Sequence, residues 1–158
     1  MKQGIAALAL GLAGISLAAC GETAEAPAVE ETGIPGMSVT NARMVLAPVE
    51  GNPAAVYFDL SYEGERGLTI RKADVAAAES AVMHQFGEYD FKVQMMEALP
   101  IALTQGTTVE FKPGDLHVMA MGVSPDLKPG DTTNVTLTVS GGGTYTFPAE
   151  VRAAGEDR

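Results

Sequence analysis

From Met37 onward the chain is built of short runs in which apolar and polar residues alternate, separated by Gly, Pro, Asn and Asp. A period of two sends successive side chains to opposite faces of an extended segment, so such runs predict half-buried β-strands. The predicted strands are Ser38–Leu46, Ala55–Ser61, Leu68–Lys72, Ala81–Phe86, Phe91–Met95, Thr107–Phe111, Leu116–Met121, Asn134–Val139 and Thr144–Val151. They are rich in Val, Thr, Tyr and Phe, the residues that pack well on a pleated surface. The longest helix-compatible stretch, Ala73–Glu79, is too short to add a helical layer. Many short strands with frequent turn signals predict an all-β domain, an antiparallel sandwich or barrel.

Two of the turn signals are the same tetrapeptide. Lys112-Pro113-Gly114-Asp115 recurs as Lys128-Pro129-Gly130-Asp131. Pro at the second position and Gly at the third suit a type II turn, because Gly accepts the positive φ required there. The strand around His117 is therefore bracketed by tight turns, and the repeat is read as turn chemistry with no ligand role.

Ahead of Met37 the pattern is different. Met1-Lys2-Gln3 carries a positive charge, and Gly4 to Ala19 is an uncharged, mostly apolar run. Sixteen residues fall short of the roughly 20 that span a bilayer as a helix, and with small residues at the end they describe an export signal over residues 1–19. The segment Leu17-Ala18-Ala19-Cys20-Gly21 resembles a bacterial lipobox, which implies cleavage before Cys20 and acylation of its thiol. The alternative is an ordinary secretory signal with an incidental Cys. Two or three acyl chains give stable anchoring where one is marginal, so the resemblance implies a lipid-anchored protein on the periplasmic side of a bacterial membrane. Gly21 stands where, in enterobacterial-type sorting, an Asp would favour retention in the inner membrane; the leaflet stays open. Residues 20–36 hold four Glu, two Pro and little that could enter a core, which predicts a disordered acidic tether about 20–24 Å long on average. The folded domain is expected over 37–151, with a short tail at 152–158.

Composition narrows the chemistry. Twenty acidic against ten basic residues give a formal charge of −10, which becomes −11 once Lys2 leaves with the signal. That balance repels nucleic acid and anionic headgroups, so a nucleic-acid role is excluded and membrane attachment falls to the lipid. One Cys allows no internal disulfide and no multi-thiolate zinc or iron–sulfur site. No Cys nucleophile remains in the domain and no Ser, His and acid form a catalytic motif, so an enzyme is not expected.

Against this scarcity, Met83 to Met121 holds both His of the chain and five of its eight Met within 39 residues. In a strand, His117, Met119 and Met121 share one face, whereas Met83 and His84 point to opposite faces. Imidazole nitrogen and thioether sulfur are neutral, soft ligands that select Cu(I) over harder divalent ions. Thioether sulfur also binds without losing a proton. Taken singly, a Met more often fills a core gap and a His more often makes a structural hydrogen bond. A copper-independent envelope binding or structural domain is therefore the alternative.

The spacing His84, ten residues, Met95, twenty-one residues, His117, one residue, Met119 matches the H-x10-M-x21-H-x-M motif, and the chain resembles the periplasmic copper chaperones of the PCu(A)C family. Met83-His84, Phe111-Lys112-Pro113-Gly114, His117-Val118-Met119-Ala120-Met121-Gly122 and Asn52-Pro53-Ala54-Ala55-Val56-Tyr57-Phe58 resemble the family too, so that the likeness covers most of 37–151. The resemblance implies a cupredoxin-like Greek-key β-sandwich or barrel binding one Cu(I) through His84, Met95, His117 and Met119. Met121 then lies beyond the ligands as neighbouring apolar cover, and Met96 is core or rim. It also implies a metallochaperone, with a Sco-like protein and the copper site of a haem–copper respiratory oxidase as partners. Gln85 departs from the acidic residue that follows the His in many relatives, which puts the hydrogen bond orienting His84 in doubt. The tail has no His or Met for a second, Cu(II) site. A blue-copper electron carrier is excluded because its Cys thiolate has no candidate beyond Cys20.

Overall fold

The structure is a computed structural model that describes residues 33–156. The signal, Cys20, the tether up to Thr32 and the last two residues lie outside the described residues. Ten strands follow one another: β1 (Met37–Val45), β2 (Ala54–Tyr62), β3 (Leu68–Val75), β4 (Ala78–Tyr89), β5 (Lys92–Glu97), β6 (Ile101–Leu103), β7 (Thr107–Phe111), β8 (His117–Val123), β9 (Thr132–Val139) and β10 (Thr144–Arg152). No helix occurs among the described residues, and the all-β expectation holds. The strands join in the order β5-β4-β8-β2-β1-β10-β9-β3-β6, with β7 also on β2. All pairings are antiparallel except β1 with β10. β3 also packs against β4, so the sheet closes over one core.

Strict alternation makes that core. Ala54, Val56, Phe58, Leu60 and Tyr62 of β2 are buried while their neighbours face outward. Val135, Leu137 and Val139 of β9 and Tyr145, Phe147, Ala149 and Val151 of β10 repeat the arrangement. Phe58 stacks on Phe111 with ring centroids 4.0 Å apart and meets Phe147 at 4.9 Å, within the range in which aromatic pairs add to simple burial.

Where the alternation breaks in the sequence, the structure has a bulge. In β1, Val39 is buried, but so is Met44, an odd and an even position. The register with β2 slips by one residue between Thr40 and Arg43, and Asn41 takes a left-handed φ of 56°. Asn tolerates that conformation better than most residues. Its amide donates to Asp59 Oδ2 at 2.7 Å. The extra residue returns Met44 to the core and sets Arg43 opposite Tyr57 on the outer face. A second slip, between Ile70 and Lys72 of β3, moves burial from Leu68 and Ile70 to Ala73 and Val75.

Three expectations change. The helix-compatible stretch Ala73–Glu79 is the end of β3, a tight turn and the start of β4. β4 runs to Tyr89, because pairing with β5 carries it past His117, the first residue of β8. Phe91 belongs to the turn and not to β5.

β7 and β8 form one interrupted line along β2. Tyr62↔Thr107 through Phe58↔Phe111 pairs β7, and Val56↔Val118 through Ala54↔Ala120 pairs β8. Between them Lys112–Leu116 leaves the ladder as a loop. Asp115 N–H donates to the Lys112 carbonyl at 3.2 Å, and Gly114 has φ 77°, the positive value that a type II turn needs at its third position. The second tetrapeptide closes the same way, from Asp131 N–H to the Lys128 carbonyl at 3.1 Å with Gly130 at φ 93°.

Candidate metal centre

β5, β4 and β8 lie side by side, and their register decides which residues meet. His84 is directly opposite His117, and Val82 is opposite Met119. On the other side of β4, Phe86 is opposite Met95 and His84 is opposite Glu97. Positions 82, 84 and 86 share one face of β4, and with it come 117, 119 and 121 of β8 and 93, 95 and 97 of β5. His84, Met95, His117 and Met119 therefore stand on one face of three adjacent strands, with the two His at the centre. This is the outer face: Met83, Val118 and Ala120, the alternate positions, are in the core. Met83 is thus separated from His84 by the sheet.

His117 is only 5% exposed although it leaves the core side. Tyr57 and Phe86 cover it, with ring centroids 6.3 Å and 6.0 Å from its own. The His84 ring meets it edge-on at 6.1 Å. The Arg43 guanidinium sits 5.1 Å from the centre of the Tyr57 ring, over its face.

The two imidazoles are oriented differently. His117 Nδ1 lies 2.7 Å from the Asp115 carbonyl oxygen. A carbonyl only accepts, so Nδ1 donates and the lone pair is assigned to Nε2, the arrangement by which a backbone carbonyl fixes a ligating His. The first Lys-Pro-Gly-Asp turn thus has a part in the site that its turn chemistry did not disclose. In His84, Nδ1 is buried and has no hydrogen-bond partner. A buried polar atom without a partner is costly unless something else satisfies it, and a soft metal ion on this face is one such partner. Gln85 does not supply the bond: it stands opposite Met96 and alternates with His84 to the other face.

The thioethers differ in cover. Met119 is half-buried between β4 and β2, opposite both Val82 and Ala55. Met95 is on the edge strand and 42% exposed. Met121, opposite Ser80, is half-buried one step further along β8. Met96 faces away and lies over Gly87, where a Cβ would come within 2.8 Å of its methyl carbon. Lys112, which opens the turn before His117, is held above the ordinary lysine range by its hydrogen bond to Glu110 at 2.6 Å.

Among the described residues no three His, Cys, Asp or Glu side chains gather as a metal site. The candidate donors on this face are instead two imidazoles and two thioethers, a combination that suits a soft monovalent ion better than zinc or calcium. Spacing along the chain pointed to those four residues. It gave no sign of Tyr57, Phe86, Arg43 or the Asp115 carbonyl, which depend on register and on backbone.

Residues 37–151 match the LpqE-like family, described as "Putative lipoprotein LpqE-like". "Putative lipoprotein Lxx21020" of Leifsonia xyli subsp. xyli is 30% identical over 152 residues, 94% of this chain and 86% of that protein. The copper-bound PCuAC domain from PmoF2 superposes with a TM-score of 0.60 at 22% identity, over 78% of this chain and 98% of that one. The solution structure of Cu(I)-DR1885 from Deinococcus radiodurans gives 0.58 at 26% identity, over 80% and 84%. The fold is the cupredoxin-like β fold of PCuAC domains.

Proposed function

The chain belongs to the LpqE-like lipoprotein family, and from that premise we propose that it is a lipid-anchored extracytoplasmic carrier of one Cu(I), held by His84, Met95, His117 and Met119. The observation that carries this reading is the register: β5-β4-β8 pairing sets four soft, neutral donors on one outer face. The copper-bound state of the similar domains supports it. Four neutral ligands leave a bound Cu(I) site at a charge of about +1, opposite in sign to the chain's net charge of −10.

The chain's own groups divide the work. The Asp115 carbonyl holds His117 in one tautomer, Tyr57 and Phe86 keep water from its ring, and the β4–β8 ladder fixes the distance between the two imidazoles. Release is an exchange of ligands with an acceptor and no catalytic cycle is involved. Met95, the most exposed donor, is the one an incoming ligand replaces first. Cys20 carries the acyl anchor, and the acceptor is a Sco-like protein or, through it, the copper site of a haem–copper oxidase.

An anaerobic Cu(I) titration against a chromogenic chelator tests the site. One equivalent binds tightly to the parent chain, and His117→Ala and Met119→Leu each weaken it. Equal uptake by parent and variants refutes the ligand set. No uptake by the parent favours the copper-independent envelope domain. Oxidase activity at limiting copper falls in a strain lacking the chain if the acceptor is assigned correctly.

A further inference from the structure

Past His117, where β8 begins, the β4–β5 hairpin continues as a two-stranded ribbon with no third strand beside it among the described residues. Five of the large apolar side chains exposed among the described residues fall on it: Phe86, Tyr89, Phe91, Val93 and Met95. Phe91 is 95% exposed and has φ 57°, next to Asp90 at 51°. Two successive positive φ values make the turn that Asn-Gly or Asp-Gly ordinarily occupies. A bulky aromatic residue there is strained, and its ring contributes almost no burial to this fold. Phe86, Val93 and Met95 share the face of His84, so the apolar patch is continuous with the metal centre and includes one of its donors. Glu88, Asp90 and Glu97 flank it, against Lys92 alone.

We infer that this ribbon is the docking surface for the copper-exchanging protein, and that the partner presents an apolar patch rimmed by Lys or Arg. The inference rests on the proposed Cu(I) reading and names the partner's chemistry. Continuity with Met95 places the partner's own ligands beside the donor that is released first. The ion remains Cu(I) throughout: one thioether bond to copper breaks as one acceptor bond forms, with no electron or proton moved. The acidic flank disfavours the other occupants. A second copy would oppose carboxylates to carboxylates, and an anionic bilayer would repel them.

The test uses the full chain loaded with Cu(I) and two synthetic acceptor peptides with the same Met-x-x-Met pair, one flanked by Leu and Lys and the other by Gly and Glu. At matched equilibrium affinity, the Leu/Lys peptide takes copper about tenfold faster, and salt erodes the advantage. The double variant Phe91→Gly, Val93→Ser loses the advantage, keeps the parent's rate of stripping by a small chelator, and melts no lower than the parent because Gly relieves the turn. Equal rates with both peptides, or an advantage that survives in the variant, overturns the inference while leaving the copper site standing. A parent chain that takes up no Cu(I) in the chelator titration removes the copper reading itself, and this inference with it. Since the chain has no Trp, Phe91→Trp reports the occupant directly. Its emission shifts to the blue with the Leu/Lys peptide. A shift with phosphatidylcholine vesicles, or a concentration-dependent dimer lost in the double variant, assigns the ribbon to a bilayer or a second copy and overturns the inference.

Discussion

β8 and β5 contribute to the same face under opposite conditions. β8 lies inside the sheet between β4 and β2, its alternate residues Val118 and Ala120 are in the core, and His117 is hydrogen-bonded by the turn just before it. β5 is an edge strand paired with β4 alone among the described residues, and its Met95 is 42% exposed. The proposed ligand set, divided this way, has a fixed half that defines the geometry and an open half through which an ion can be exchanged. Under the proposed copper reading, the difference assigns affinity and exchange to different strands, so that they can be altered separately.

The comparison breaks most readily at its fixed end. His117→Ala removes a braced donor and is expected to weaken Cu(I) binding by at least about 100-fold, since even partners behind a ligand are worth 10–100-fold; chelator competition measures it. Met95→Leu is expected to cost only about tenfold in affinity, with faster loss of copper to a chelator in stopped flow. Should Met95→Leu cost as much as His117→Ala, the division between the strands is wrong. Gly114→Ala puts a Cβ on a residue at φ 77°. It is expected to lower stability by about 1 kcal/mol and copper affinity a few-fold, through the displaced Asp115 carbonyl. Denaturant titration and chelator competition on that variant separate the two effects. As a control in the core away from β5, where Phe58 packs on Phe111 and Phe147, Phe58→Ala is expected to cost about 3–5 kcal/mol of stability.

Much of this was legible in the sequence because burial on one face imposes alternation. The β2 run from Ala54 to Tyr62 reads directly as a strand, whereas the signal and lipobox readings fall on residues outside the described structure. The donor spacing singled out four residues, but spacing says nothing about pairing. That His84 faces His117 and that Met95 sits at an edge follow from long-range register, which one strand's pattern does not contain. The bulges at Asn41 and near Arg71 were hidden for a related reason, since an extra residue looks in sequence like a lapse in alternation. β6 escaped notice because three residues are too few to show a period. The brace on His117 is a backbone carbonyl, and the sequence carries no side-chain signal for it.

The position of β1 has a mechanical consequence. The chain enters the domain at Met37, and β1 lies between β2 and β10, paired with β2 from Met37↔Tyr62 to Val45↔Ala55. Ladder hydrogen bonds run perpendicular to the strands, so a pull on the residues before Met37 loads that ladder in shear, several bonds at once, and does not unzip it one bond at a time. Such a load enters at β1, two strands from β8 and three from β4, so the β1–β2 ladder meets it before the strands on which the imidazoles are set.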